Sequence, residues 1–78
     1  MIKKDELANP NSCINRAQDD EPTFVLLARD PAAPQAILDW VHRRIVLAKN
    51  KMSDQQIQEA TQIAKDMTDW RLRNVIRN

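Results

Sequence analysis

Asn9, Asn11, Ser12, Asn15 and Arg16 stand within eight positions of the run NPNSCINRAQDDEP. Amides and a hydroxyl offer donors and acceptors on short stems, and a guanidinium adds a planar fork. Together these types read a purine edge or a ribose and clamp a phosphate. Each also has a local use. Asn and Ser start turns and cap helices, and Asn9-Pro10 is a turn starter. Five such groups exceed the needs of one turn and one cap, so the run is either two consecutive helix caps or the polar lip of a ligand site. In the second case Asn9, Ser12, Asn15 and Arg16 are the ligand-binding groups.

Other reactive side chains point away from catalysis. Cys13 is the single cysteine and His42 the single histidine. They supply two ligands where a structural zinc site takes four, so no metal site is expected. No intramolecular disulfide can form, and Cys13 reads as a small buried hydrophobe rather than a nucleophile. The cluster Asp19, Asp20, Glu21 suits a helix N-terminus better than a hard cation. The chain contains no glycine, which excludes every glycine-built phosphate loop and dinucleotide fingerprint. A non-enzymatic protein without a cofactor is the expectation.

Charge adds a second candidate site. Residues 1–30 carry four cations against six acids, residues 31–52 four against one, and residues 53–78 four against four. The basic middle is Arg43, Arg44, Lys49 and Lys51. Late-helix cations complement the helix dipole, and the same cluster, through Arg43, Arg44 or Lys51, suits a phosphate. A net charge of +1 fits long nucleic acid poorly.

Seventy-eight residues make one small domain, which buries only about 60% of the surface its unfolded chain exposes. A homo-oligomer is therefore expected. The start MIKKDELANP has no apolar run after its lysines, and no membrane span is found, so a cytoplasmic protein is expected.

The elements that must position these groups are helical. Ile57, Ala60, Ile63 or Ala64, Met67 and Trp70 recur at spacings of three and four, with no Gly or Pro from Met52 onward. This predicts a helix over about 54–75, opened by a Ser53–Gln56 capping box and a Met52–Ile57 staple. Pro31 and Pro34 suit the opening of another helix. Ile37, Leu38, Val41, Ile45 and Ala48 form its stripe, widened by Trp40 and Leu47, over about 32–49. The short connection at Lys49–Met52 makes the two an antiparallel hairpin. Before it, Asn11 or Ser12 caps a short helix, Cys13–Ala17. Thr23–Leu27 reads as a short helix rather than a strand, because no partner strand exists to pair its backbone. Asp20 would cap it, with Phe24, Leu27 and Ala28 facing the hairpin. The expected fold is all-α: a hairpin with short N-terminal helices in a single domain over 9–78, preceded by a tail at 1–8.

The run NPNSCINRAQDDEPTFVLLARDPAAP, followed by a helix with Trp40 and a last helix ending in DW, resembles a family of small tailed-phage and prophage proteins over roughly residues 7–70. Its most recognisable parts are Asn9-Pro10, Ser12-Cys13, Asn15-Arg16-Ala17, Asp20-Glu21-Pro22, Phe24-Val25-Leu26 and Ala33-Pro34. The resemblance implies an accessory protein acting in the cytoplasm of an infected bacterium, in the manner of counter-defence factors. Two mechanisms then compete. One is a sponge that sequesters a cyclic nucleotide immune signal without cleaving it, with Arg16, Asn9, Ser12 and Asn15 on base and phosphate, and Arg43, Arg44 or Lys51 on a second phosphate. The other is an inhibitor or adaptor of a host protein, anchored by Trp40, Trp70 and Leu72. A helical DNA-binding regulator is weaker, since the last helix opens on Asp54 rather than basic readers.

Overall fold

The structure is a computed structural model and describes residues 2–74. Four helices and no strand occur among them: α1 (Lys3–Ala8), α2 (Cys13–Arg16), α3 (Ala33–Val46) and α4 (Gln55–Asn74). The all-α expectation holds, although Val75 at the expected end of α4 lies outside the described residues. No helix among those described is long and apolar enough to cross a membrane.

The helices pair in sequence order. Packing joins α3 to α4 and α1 to α2, and no helix of one pair comes within 8 Å of the other pair between Cα atoms. The stripe read from the sequence is the α3–α4 seam: Val41, Ile57 and Ala60 are buried against each other, with Ile37 and Ile45 packed around them. Ile57 is the one large side chain sealed completely from solvent among the described residues. Ala60 and Ala64 are also buried, and their small size permits close approach of the two backbones.

Both ends of the α3–α4 connection differ from expectation. Helix α3 stops at Val46 because Ala48 takes a left-handed conformation, φ 57°. The Ala48 amide donates to the Ile45 carbonyl and the Lys49 amide to the Arg44 carbonyl, both at 3.0 Å. These are the two bonds of a Schellman stop. Glycine normally occupies that position, and here an alanine does so. Helix α4 opens after Asp54 rather than Ser53, so the capping box is not formed. The Asp54 carbonyl accepts from the Ile57 and Gln58 amides, while Gln56 Oε1 turns away to accept from Asn50 Nδ2 at 3.2 Å. Met52 is exposed and staples nothing.

A polar network replaces the expected box. Arg44 Nε donates to Asn50 Oδ1 at 2.5 Å, and Asn50 Nδ2 donates to Asp54 Oδ2 at 2.9 Å. The Lys51 amide donates to the same Asp54 oxygen at 2.9 Å. The end of α3, the connection and the start of α4 are thus tied into one unit.

The segment before α3 also departs from expectation. Residues 21–27 form neither helix nor strand. Asp20 caps nothing there; instead Glu21 folds back, its Oε1 accepting from the Gln18 amide at 3.0 Å. Phe24 is 87% exposed, so it does not pack on the hairpin, whereas Leu27 is 46% exposed. A helix this short is held by packing rather than by its own hydrogen bonds, and β-branched Thr23 and Val25 after Pro22 disfavour it further. Extended backbone in water needs no partner strand, so the choice between helix and strand was not exhaustive. Asp30 then turns the chain into α3, its Oδ1 accepting from the Ala32 amide at 2.9 Å.

Two outcomes follow from the connection. A left-handed alanine costs roughly 1 kcal/mol relative to glycine at such a stop, so Ala48→Gly raises the urea midpoint by an amount equivalent to about 1 kcal/mol; a lowered midpoint contradicts the strained stop. The Lys51 amide, then the Asn50 side chain, hold the Asp54 carboxyl below its usual value of 3.8. Because the folded-state value is the lower one, its contribution is complete above the unfolded value and is lost as pH falls below about 3.8 through the folded value. Thermal melts between pH 2 and 7 should therefore show a shallower acid limb in Asp54→Asn than in the parent, on the order of the shift of one carboxyl.

Candidate functional site

The polar run at Asn9–Arg16 builds a clasp between α1 and α2. Ser12 is the N-cap of α2, its Oγ accepting from the Asn15 amide at 3.3 Å. The same hydroxyl donates to the Glu6 carbonyl at 2.6 Å. Asn15 Nδ2 reaches three carbonyls at the end of α1, those of Glu6 (3.0 Å), Leu7 (2.9 Å) and Asn9 (2.9 Å). A helix leaves its last carbonyls without partners, and one carboxamide two turns downstream meets them. Asn9 Oδ1 accepts from the Asn11 amide at 2.9 Å, closing the turn between the helices.

This clasp explains α1, at residues read from the sequence as a tail. Six residues are too few to hold a helix alone. Asp5 and Glu6 in its first turn favour the dipole, and the carboxamide of Asn15 closes its other end. The signal was present in the sequence, but it lay seven residues beyond the helix it supports.

Among the residues expected to bind a ligand, Ser12 is buried, 7% exposed, with its hydroxyl engaged on both sides. The amide nitrogen of Asn15 is likewise engaged. Asn9 keeps its Nδ2, and Arg16 keeps most of its guanidinium, which makes one long contact from Nη2 to Cys13 Sγ at 3.6 Å. Cys13 itself is exposed, contrary to the buried hydrophobe expected. A helix of four residues offers too little surface to bury its thiol face.

The basic cluster lies around the end of α3. Arg43 lines a shallow groove with Asp39, His42, Val46 and Leu47. Arg44 is used in the network described above and stacks 5.6 Å from the centre of the Trp40 ring. Lys51 borders a second groove with Ala48, Lys49, Asn50 and Asp54, where the Asp54 carboxylate is the nearest opposite charge. No helix of the pair α1–α2 contacts the pair α3–α4, so helix packing within one chain does not bring Arg16 to Arg43. Among the described residues no three His, Cys, Asp or Glu side chains are grouped to hold a metal ion.

The residues expected to anchor a protein partner are open: Trp40, Trp70 and Leu72 are 40%, 39% and 72% exposed. Phe24, Val25, Val46 and Leu47 are more exposed than either tryptophan; of these the sequence pattern placed Phe24 and Leu47 on helix faces and left Val25 and Val46 unassigned. The apolar run PTFVLL without an acceptor in its own chain was the available signal.

No protein family matches the chain, and neither a curated protein nor a solved structure does.

Replacing Asn15 by Asp removes the donors to the Glu6, Leu7 and Asn9 carbonyls while keeping size and the cap acceptor geometry. Asn15→Asp should raise amide exchange at residues 3–9 by roughly tenfold, the equivalent of a net loss near 1.4 kcal/mol, and leave α3 and α4 protection unchanged. Equal exchange in both proteins refutes the clasp.

Proposed function

We propose that this chain is a non-catalytic binding protein that works as an assembly of identical subunits. One observation carries the reading. The chain exposes 6651 Å², whereas a folded monomer of 9.0 kDa exposes about 4,900 Å². The excess of roughly 1,800 Å² is about twice the area each partner contributes to a standard protein interface. A radius of gyration of 13.6 Å against about 11.5 Å for a compact chain of this length points the same way. Much of the excess is apolar, including Phe24, Val25, Val46, Leu47 and Leu72.

The ligand of that assembly, on this proposal, is a small anionic nucleotide, sequestered rather than cleaved. Support comes from the free donors of Arg16, the exposed Arg43 beside His42 in its groove, and exposed Lys51. Arg16 and Arg43 belong to helix pairs that do not pack on each other within one chain, and on this proposal a ligand gripped by both is completed between subunits. The setting, a phage-encoded factor that blunts a bacterial immune signal in the host cytoplasm, rests on the sequence resemblance alone. The exposure of Trp40, Trp70 and Leu72 supports a second reading, an inhibitor or adaptor of a host protein.

Native mass spectrometry against cyclic di- and trinucleotides and cyclic ADP-ribose isomers separates the two. The expected result is an oligomer with nucleotide at fixed stoichiometry. Arg16→Ala and Arg43→Ala should each weaken that binding about tenfold or more with unchanged circular dichroism, since both side chains are exposed. An oligomer that binds none of these nucleotides overturns the sponge and favours the protein partner.

A further inference from the structure

Resting on the self-assembly half of that reading, we propose that residues 19–27 are a docking arm, and that its acceptor is the Trp40–Leu47 flank of α3 on a second copy of the chain. The arm has two parts. Asp19, Asp20 and Glu21 form an acidic run, and Phe24, Val25, Leu26 and Leu27 an apolar one. Of the apolar four Leu26 and Leu27 are about half-buried, while Phe24 is 87% and Val25 66% exposed. Phe24 and Val25, in a segment without regular secondary structure, contribute little burial to their own subunit.

The acceptor matches the arm in both parts. Trp40 and Leu47 are seven residues apart, which places them on one flank of α3 beside the seam residues Val41 and Ile45. Both are exposed, at 40% and 65%. Cations border this flank: Arg44 stacks on Trp40, and Arg43 follows on the outer side. Beyond the helix stand Lys49 and Lys51, within the segment of net positive charge. An acidic run leading an apolar run thus faces an apolar strip bordered by cations. Complementary charge sets register and orientation, and apolar burial supplies the attraction.

A second copy is the occupant for three reasons. The tip of the arm is unused by its own chain: Phe24 and Val25 stay in solvent, 87% and 66% exposed. The exposed excess exceeds what a stable dimer needs by about twofold. The acidic and basic halves nearly cancel in a chain of net charge +1, so two copies approach without net repulsion. Each chain carries both arm and acceptor, so reciprocal docking closes a two-fold dimer and head-to-tail docking closes a ring.

The test uses the full chain. Light scattering after gel filtration should give an oligomer for the parent and the 9.0 kDa monomer for Phe24→Asp and for Leu47→Asp. Helical circular dichroism should be unchanged, because neither side chain is buried. A photoreactive benzoyl derivative of phenylalanine at position 24, in a mixture of light and heavy isotope-labelled chains, should cross-link to residues 36–47 of the other isotope. A monomeric parent overturns both this proposal and the assembly. An oligomer that survives both substitutions, or cross-links confined to one chain, overturns the arm and leaves the assembly standing.

Discussion

The burial of Ile57 between α3 and α4 is the contact on which the remaining structure depends. It is the one large side chain that the described chain seals completely, and full burial of such a residue contributes roughly 1.5–3 kcal/mol. Against a typical domain stability of 5–15 kcal/mol that is a large share. Val41, Ala60, Ile37 and Ile45 surround it, and they do so only if α3 and α4 meet in one register. The connection enforces that register through polar groups, with Arg44 and Asp54 joined by Asn50. A thin apolar seam and a stiff polar turn are therefore a single device, because neither is strong enough to fix the helix pair alone.

The N-terminal pair is built on a different principle. No residue of α1 or α2 is buried, and the only buried side chain of that region is Ser12 at the N-cap. Its order comes from carbonyls at the end of α1 meeting a hydroxyl and a carboxamide. Such bonds each contribute about 1 kcal/mol net and add little hydrophobic attraction. The two pairs thus differ in what holds them, no helix of one packs on the other, and the connecting residues leave Phe24 and Val25 largely in solvent.

What the sequence made legible follows this division. The seam was readable because spacings of three and four residues mark a buried face directly: Val41, Ile57, Ala60 and Ala64 all lie where the periodicity put them. Ser12 was readable as a cap because capping is local. The stop of α3 was obscured because the chain has no glycine, and Ala48 adopts the left-handed turn without the residue type that announces it. Helix α1 was hidden because its partner lies in another element. The error at residues 20–28 came from choosing only between helix and strand, when backbone exposed to water needs neither. Of the ligand-site residues, the sequence supplied chemistry but not occupancy: Ser12, Asn15 and Arg44 have partners within the fold, while Arg16, Arg43 and Lys51 are the side chains left outward.

That distribution constrains any function more than composition does. A pocket for a small molecule is enclosed, with a few converging polar groups, and the grooves beside Arg43 and Lys51 are shallow, lined by five residues each. A single copy therefore presents charges and apolar side chains without walls around them. On the proposed assembly walls would come from a second surface, and the apolar side chains that one chain leaves exposed would provide the means to recruit it. Under the proposed docking, burying Phe24 and Leu47 against another subunit also sets the acidic run Asp19–Glu21 beside the cations at the end of α3, so those charges are shared between the arm and any anionic ligand. On that proposal an anion bound there and a docked arm are linked through one set of charges, and each shifts the other's occupancy by mass action.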